Sequence, residues 1–390
     1  MIAAESITVA DLERDPYPIY AQLRESAPVC LVPSVGLWLV TRWDDVHHVA
    51  THPELFTADV GTSPLTRTLG QNVLTVDGPA QQRIRATIDP TMRPRDVAGY
   101  APEVIEPIAR RLLDEIEPAG GAELMAAYCE PCSVLALGQV MGLGELDADT
   151  LRRWFGDLAT GGSNFEQDPE KQRIGDEASV EVDAVVGPIL ERLERDPDGS
   201  VLASMVHTEP PHGGKLSRAE VLANLKLILL GGMQEPGHAL GIAVWALLTH
   251  PAALAEVRAD PGLLRPAMEE ALRWHSPVGT QTRQVTADTV LGGVELEAGT
   301  AIAAVLSSAN RDERHWQDPE RFDIHRRGAH AAFGLGPHHC AGAPLARSEV
   351  LLPLRMLLDR FPQLRLDPAQ EVELAGWEFR APVALHVRWD

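Results

Sequence analysis

Between Phe333 and Arg347 the chain reads Phe-Gly-Leu-Gly-Pro-His-His-Cys-Ala-Gly-Ala-Pro-Leu-Ala-Arg, and this stretch limits the fold more than any other. Glycines at 334, 336 and 342 permit a tight loop whose backbone another group can approach closely. Directly after it, Leu345, Val350, Leu351, Leu354, Leu357 and Leu358 recur with the spacing of one helix face. The first turn of such a helix offers orphan N–H groups and the positive end of its dipole, and both favour an anion. A thiolate at Cys340 would be that anion. Taken alone, Cys340 is also compatible with a buried structural cysteine or a nucleophile beside a histidine. His338 and His339 stand too close in sequence for a usual triad, and with Cys340 they cannot easily reach one tetrahedral zinc ion.

The full pattern, Phe-Gly-x-Gly-x-His-x-Cys-x-Gly, is matched at every fixed position and resembles the haem-binding signature of the cytochrome P450 superfamily. The resemblance implies a mainly α fold with a small β region, one domain over residues 1–390, and haem b as cofactor. Cys340 would be the proximal thiolate of the haem iron, the ligand that favours O–O cleavage, with Phe333 and Gly334 in its loop. Arg85, Arg283 and His338 fall at positions that meet the haem propionates, which need cations or donors. Gln81 stands where the superfamily usually carries histidine, and contributes a donor without charge. Glu270-Ala-Leu-Arg273 fits the superfamily's Glu-x-x-Arg. On its own an i, i+3 pair is an ordinary solvated face; upstream of this loop it implies a structural ion pair beneath the haem, joined by Arg321 of Asp318-Pro-Glu-Arg-Phe.

Composition bounds the partners. A net charge of −22 argues against nucleic acid or an anionic membrane surface. Residues 1–15 are acidic and mixed, and no window holds the roughly 18 apolar residues a membrane span needs. Four cysteines are too few for a disulfide scaffold, so a reducing cytoplasm is expected. The lone Cys129-Glu-Pro-Cys132 reads as core.

Along the chain, the periodicity predicts a short amphipathic helix over 10–27, a strand pair and short helix over 29–49, and a long loop over 57–72, the kind that often carries function. Asp77-Gly78-Pro79 opens a helix that places Gln81 and Arg85 on one face. Helices are expected over 100–117, 122–143, 147–161 and 174–195. The capping box Ser217-Arg-Ala-Glu220 then starts an apolar helix reaching Thr249, about 32 residues and roughly 48 Å. Helices over 251–259 and 262–274, short strands near 283–303 and a strand-like segment over 371–389 complete the pattern.

The long helix carries a flaw, Gly231-Gly232-Met233-Gln234-Glu235-Pro236. Pro236 lacks an N–H and clashes with the carbonyl of Gly232, a cost of about 3 kcal/mol, so the helix should open there, as a tolerated kink or, as the resemblance implies, as a groove over the iron. The superfamily usually places an acid and an alcohol at this point. Here Gln234 stands for the acid and Glu235 for the alcohol. Glu235 is expected to handle protons, oriented by Gln234, with a pKa raised by burial. Gly-Met-Gln-Glu-Pro-Gly-His over 232–238, Tyr128-Cys-Glu-Pro131 and Gly376-Trp-Glu-Phe-Arg-x-Pro382 resemble the bacterial guaiacol O-demethylase branch. That likeness implies oxidative O-demethylation of a methoxy-substituted aromatic compound with O2, and electrons from a ferredoxin or a flavin/[2Fe–2S] reductase. Of that branch's three wall phenylalanines one is matched, at Phe379. Leu69 and Gly162 replace the others and Gln281 replaces a small residue, so the pocket should be larger and less aromatic. Leu227, Gly231, Val278 and Thr282 take the remaining wall positions. Arg83, Arg93, Arg95, Arg347 and Arg355 are expected to form a basic patch for the donor. The alternatives are hydroxylation or epoxidation of a terpenoid or polyketide secondary metabolite, a peroxide-driven oxygenase, and a haem sensor without activity, against which the groove argues.

Overall fold

The apolar spacing after Cys340 does form a helix, Ala343–Arg360. It packs between Pro94–Ile116 and the second half of a split helix made of Arg218–Gly232 and Glu235–Thr249. Residues 4–61, 63–164 and 167–389 are described in this computed structural model. Leu240, Val244, Leu354 and Leu357 meet in one fully buried cluster; each such leucine stabilises by roughly 2 kcal/mol. A second cluster joins Gly78–Met92, Ala148–Gly162, Pro169–Arg195 and the first half of the split helix through Ile84, Trp154, Val182 and Leu225.

The sheet runs Val29–Val32, Leu37–Val40, Ala301–Val305, Thr280–Val285, Phe56–Thr57. The second and third strands are parallel, with Trp38 opposite Ile302, and the other pairs antiparallel. Arg283 lies opposite Ile302 and Gln281 opposite Ala304. The pleat therefore sends Gln281 and Arg283 to one face and Thr280 and Thr282 to the other.

Prolines account for most departures from the expected boundaries. Pro16 ends a helix Val9–Arg14 capped by Thr8 and precedes a second, Tyr17–Ser26, where one had been expected. The expected loop over 57–72 contains a helix, Pro64–Leu69, entered at a proline and stopped at Gly70 with φ +86°. The segment 122–143 divides into a strand Gly121–Glu123, a π-helical turn Met125–Cys129 and a helix Glu130–Met141, restarted at Pro131. Cys129 and Cys132 are buried there with raised thiol pKa values, as core cysteines should be. Among the described residues, no single helix is long and apolar enough to cross a membrane.

Candidate active site

The Cys340 loop is held by its own backbone. The Cys340 N–H donates to the Phe333 carbonyl at 2.9 Å. Gly336 adopts φ +66°, and a Cβ there would fall 2.1 Å from the Ala50 carbonyl oxygen, so no other residue fits. The Arg347 guanidinium lies 4.2 Å over the Phe333 ring while bonded to Glu269 at 2.7 Å, with His330 on the same carboxylate at 3.0 Å. Cys340 presents accessible surface, yet the protein around it is dense enough that burial pushes its thiol up. The sulfur therefore looks into an internal recess and not outward. The Gly342 N–H, Arg85 and Arg347 pull its pKa down again, and Glu235, on the split helix, pushes it up. Glu235 thus lies near enough to Cys340 for its charge to be felt there.

The expected propionate partners cluster beside it. Arg283 is buried with one terminal nitrogen unpartnered, and burial lowers its pKa to about 10. A buried cation short of anionic partners suits a carboxylate-bearing group such as haem. The other three are already engaged: His338 Nε2 on Asp77 at 2.7 Å, Gln81 Nε2 on the Pro337 carbonyl at 2.7 Å, and Arg85 on Asp89 and the His339 carbonyl at 2.6 and 2.8 Å. Asp77, read from sequence only as a helix opener, organises this side. It accepts from His338, Thr57 and the Ala58 N–H, which hold its carboxyl at about 2 against the opposing effect of burial. Gln281 also belongs here. Its amide nitrogen would meet a Gly334 Cβ at 2.4 Å, and its oxygen is unpartnered. This corrects its expected place in the substrate wall. Thr282, one residue on, points to the opposite face of the sheet, so it cannot share a wall with Gln281.

Glu270 and Arg273 form a buried bidentate pair at 2.7 and 2.8 Å. Arg273 also donates to the carbonyls of Asn310 at 2.7 Å and Pro319 at 3.0 Å. Arg321 joins this network, but through its carbonyl, which accepts from Arg273 and Arg326. The second guanidinium on Glu270 belongs to Arg326, at 3.1 Å. Sequence reading missed Arg326 and also Asn310, which ties Ser276, Ala331 and Arg273 together.

Opposite Cys340 the long helix opens as its sequence requires. Helical residues end at Gly232 and resume at Glu235, with Pro236 in the first turn and no side-chain cap. The freed Met233 carbonyl accepts from Ser133 at 2.5 Å. Glu235 is buried with both carboxyl oxygens unpartnered, and burial raises its pKa to about 7, the N–H groups of Glu235 and Gln234 opposing slightly. Around the break, Leu227, Gly231, Gln234 and His238 show accessible surface along one face, with Ile228 and Gly232 beside them. Gly231 has nothing within 4 Å of where its Cβ would stand. A glycine facing open space inside the molecule leaves room for a flat group.

The candidate roof is less open than the sequence implies. Leu69 is in the core. A Cβ at Gly162 would sit 3.3 Å from Leu65 and 3.7 Å from Leu230. Leu65, from the helix that had been expected to be loop, thus occupies the space that glycine leaves. Val278 and Phe379 pair across an isolated bridge. The basic patch is also reduced. Arg83 is spent on Glu220 and three carbonyls, Arg347 on Glu269 and Arg355 on Glu106, while Arg93 and Arg95 are exposed without ion pairs among the described residues.

Residues 262–375 match the cytochrome P450 family. Over nearly its whole length the chain is similar to the cytochrome P450 monooxygenase PikC of Streptomyces venezuelae, with 34% identity over 97% of this chain and 92% of that one. It is 32% identical to 6-deoxyerythronolide B hydroxylase of Saccharopolyspora erythraea, over 92% of this chain and 93% of the relative. Among solved structures it resembles CYP109E1 from Bacillus megaterium in complex with testosterone, with TM-score 0.88, 26% identity, and coverage of 96% and 98%. A cysteine loop, an orphaned cation and an opened helix around one recess fit haem in their chemistry, and the likeness spans the whole fold. The chain belongs to the cytochrome P450 family: it is a haem b monooxygenase that uses O2 and electrons from a redox partner.

Proposed function

We propose that this enzyme hydroxylates or epoxidises a medium-sized apolar secondary metabolite, bound between Cys340 and the Gln234–Glu235 break. The open face at Gly231 carries the reading, because a helix buried along most of its length is there left without a neighbour. The similarity to PikC and to 6-deoxyerythronolide B hydroxylase supports it. Haem bound through Cys340 supplies the iron at which O2 is activated. Arg283, with its unpartnered nitrogen, would meet the propionate edge, Gln281 beside it, while His338, Gln81 and Arg85 frame that edge through their protein partners, and Phe333 and Gly334 shape the loop below. Glu235, a carboxylic acid with no partner in an apolar setting, keeps a proton available at its Oε atoms, and Gln234 orients it. Leu227, Gly231, Val278, Phe379 and the Leu65–Gly162 contact wall the substrate. A ferredoxin, or a flavin/[2Fe–2S] reductase, docks on the cysteine side near Arg93 and Arg95.

A second reading is oxidative O-demethylation of a methoxyarene, favoured by the Gln234-Glu235-Pro236 sequence and by Leu65 refilling the roof. It uses the same C–H hydroxylation, after which the hydroxylated methyl leaves as formaldehyde. Optical titration of the ferric protein with macrolactones and graded methoxyarenes separates the two. The expected result is a low-to-high-spin shift with macrolactone-sized ligands and, with ferredoxin, reductase and NADPH, a product one oxygen heavier. A full shift only with guaiacol-sized ligands, together with formaldehyde release, would replace the first reading by the second.

A further inference from the structure

His238 stands one turn beyond the break, half-buried, on the face that shows accessible surface. Its Nδ1 is shut off from solvent and meets no hydrogen-bond partner among the described residues. The backbone there is regular helix, since the His238 N–H donates to the Gln234 carbonyl at 2.8 Å. That register fixes the neighbours of the ring. Residues three and four apart on a helix have Cβ atoms about 5–6 Å from each other, within reach of long side chains. Toward the C-terminus those positions hold Gly241 and Ile242, which bring no polar side-chain atom. Toward the N-terminus they hold Glu235 and Gln234, and a helical side chain leans that way. The adjoining surface is closed by the turn Met125–Cys129. A Cβ on Gly237 would fall 3.0 Å from the Cys129 carbonyl oxygen, and one on Gly241 would meet the Met125 sulfur.

Three unpartnered polar atoms, both Glu235 carboxyl oxygens and His238 Nδ1, therefore lie within one turn of one helix. No other bond holds them, so a change of rotamer brings the two side chains together. Gln234 and Glu235 are adjacent in sequence and do not face each other. Gln234 can orient Glu235 only through a group that both reach. We propose, building on the proton-handling role of Glu235, that His238 is this positioning residue: its Nδ1–H donates to one Glu235 carboxyl oxygen, while the Gln234 amide donates to Nε2 and fixes the tautomer. The arrangement serves the carboxyl in both of its states. While Glu235 is protonated, Nδ1–H takes the oxygen without the proton and leaves the other O–H free. Once the proton has gone, the same N–H stabilises the carboxylate. A neutral acid beside a neutral imidazole also puts no charge into a buried setting. Burial accordingly raises the Glu235 pKa to about 7 and lowers that of His238 to about 4.

Infrared spectroscopy of the ferric holoprotein, at a pH below the Glu235 value of about 7, reads this bond without any substrate. Glu349 is a second buried acid, raised to about 8, so the Glu235 band is the carboxyl C=O stretch that disappears in Glu235→Gln. In His238→Phe, which keeps the ring without its nitrogens, the band is expected to move to higher frequency as the oxygen loses its donor. His238→Asn returns an N–H close to the place of Nδ1 and should bring the band back, an effect that ring packing alone would not produce. A band unmoved in His238→Phe overturns the positioning role and leaves proton handling by Glu235 standing. A shift that His238→Asn fails to reverse also overturns it, since the ring would then act through its shape. If Glu235→Gln removes no carboxyl band, Glu235 is ionised, and its proton-handling role fails before that of His238.

Discussion

The two sides of the recess are built on opposite terms. On the cysteine side almost every polar group is engaged: Cys340 N–H with Phe333, His338 with Asp77, Arg347 with Glu269, Glu270 with two guanidiniums. On the facing side the helix is interrupted, uncapped, and carries a carboxyl with neither oxygen bonded. The first side only has to hold a cofactor in one place, so rigid and satisfied bonding costs it nothing in function. Under the proposed function the second side exchanges protons and admits a substrate, and a carboxyl locked into an ion pair could do neither. Local strain at a functional site is stabilised by the surrounding structure.

The largest effect should follow from breaking the satisfied side. In Glu270→Ala, Arg273 and Arg326 lose their carboxylate, and the Asp323 N–H loses its acceptor. Breaking a buried pair by removing one partner costs about 3–5 kcal/mol, a large part of a domain's total stability. We expect the variant to bind little haem and to melt far below the parent, read from the Soret band and from circular dichroism. A variant of normal haem content and Tm would show that the pair is not what stabilises this side.

On the open side the same kind of change should have the opposite sign. The Glu235 carboxyl is raised by burial from its ordinary 4.5 to about 7. A group with a raised folded-state pKa contributes stability that is fully present below its unfolded value and is lost as pH rises through the folded one. Between pH 4.5 and 8 the native state should therefore lose about 3 kcal/mol at this residue. Glu235→Gln keeps the shape without the ionisation, so it should be more stable than the parent at pH 8 and equal to it near pH 4.5 in urea unfolding. Its turnover should fall about 100-fold, with the parent's loss of rate above pH 7 absent from its profile. Equal stability at both pH values would mean that Glu235 is not sealed as its burial implies, and unchanged coupling of NADPH to product would remove it from proton handling.

This contrast also explains what could be read from sequence. The satisfied side was legible because its parts are short-range: a loop of glycines around Cys340, a helix pair at 270 and 273, two residues at i, i+4 over 81 and 85. The opened helix was legible for a related reason, since Pro236 forbids one specific hydrogen bond with the Gly232 carbonyl. Contacts between segments distant in sequence were not legible. Arg326 takes the place expected of the Arg321 side chain because both lie on one irregular segment, and only its folded path decides which guanidinium reaches Glu270. Thr282 and Gln281 are expected on one wall, yet the pleat of a strand separates them, and alternation makes that separation legible in the sequence itself. Leu65 could not have been found so easily, because the segment over 57–72 gives no periodic signal and its helix is only six residues long.

The roof offers the smallest and sharpest test, since two effects of known sign compete there. Gly162 ends the helix Ala148–Gly162, so Gly162→Ala gains up to about 1 kcal/mol of helix propensity. Against it, the new Cβ would press on Leu65 at 3.3 Å. The contact is with the far end of a side chain on a short helix, which can shift by a few tenths of an ångström at little cost. We therefore expect Tm to rise by about 1 °C and the ligand-induced spin shift to weaken only two- to fivefold, as Leu65 is pushed toward the recess. Leu65→Ala should remove the contact, so that adding Gly162→Ala to it no longer changes affinity. If Gly162→Ala instead lowers Tm while leaving affinity intact, Leu65 is fixed by the core behind it. The roof then belongs with the rigid side of the molecule.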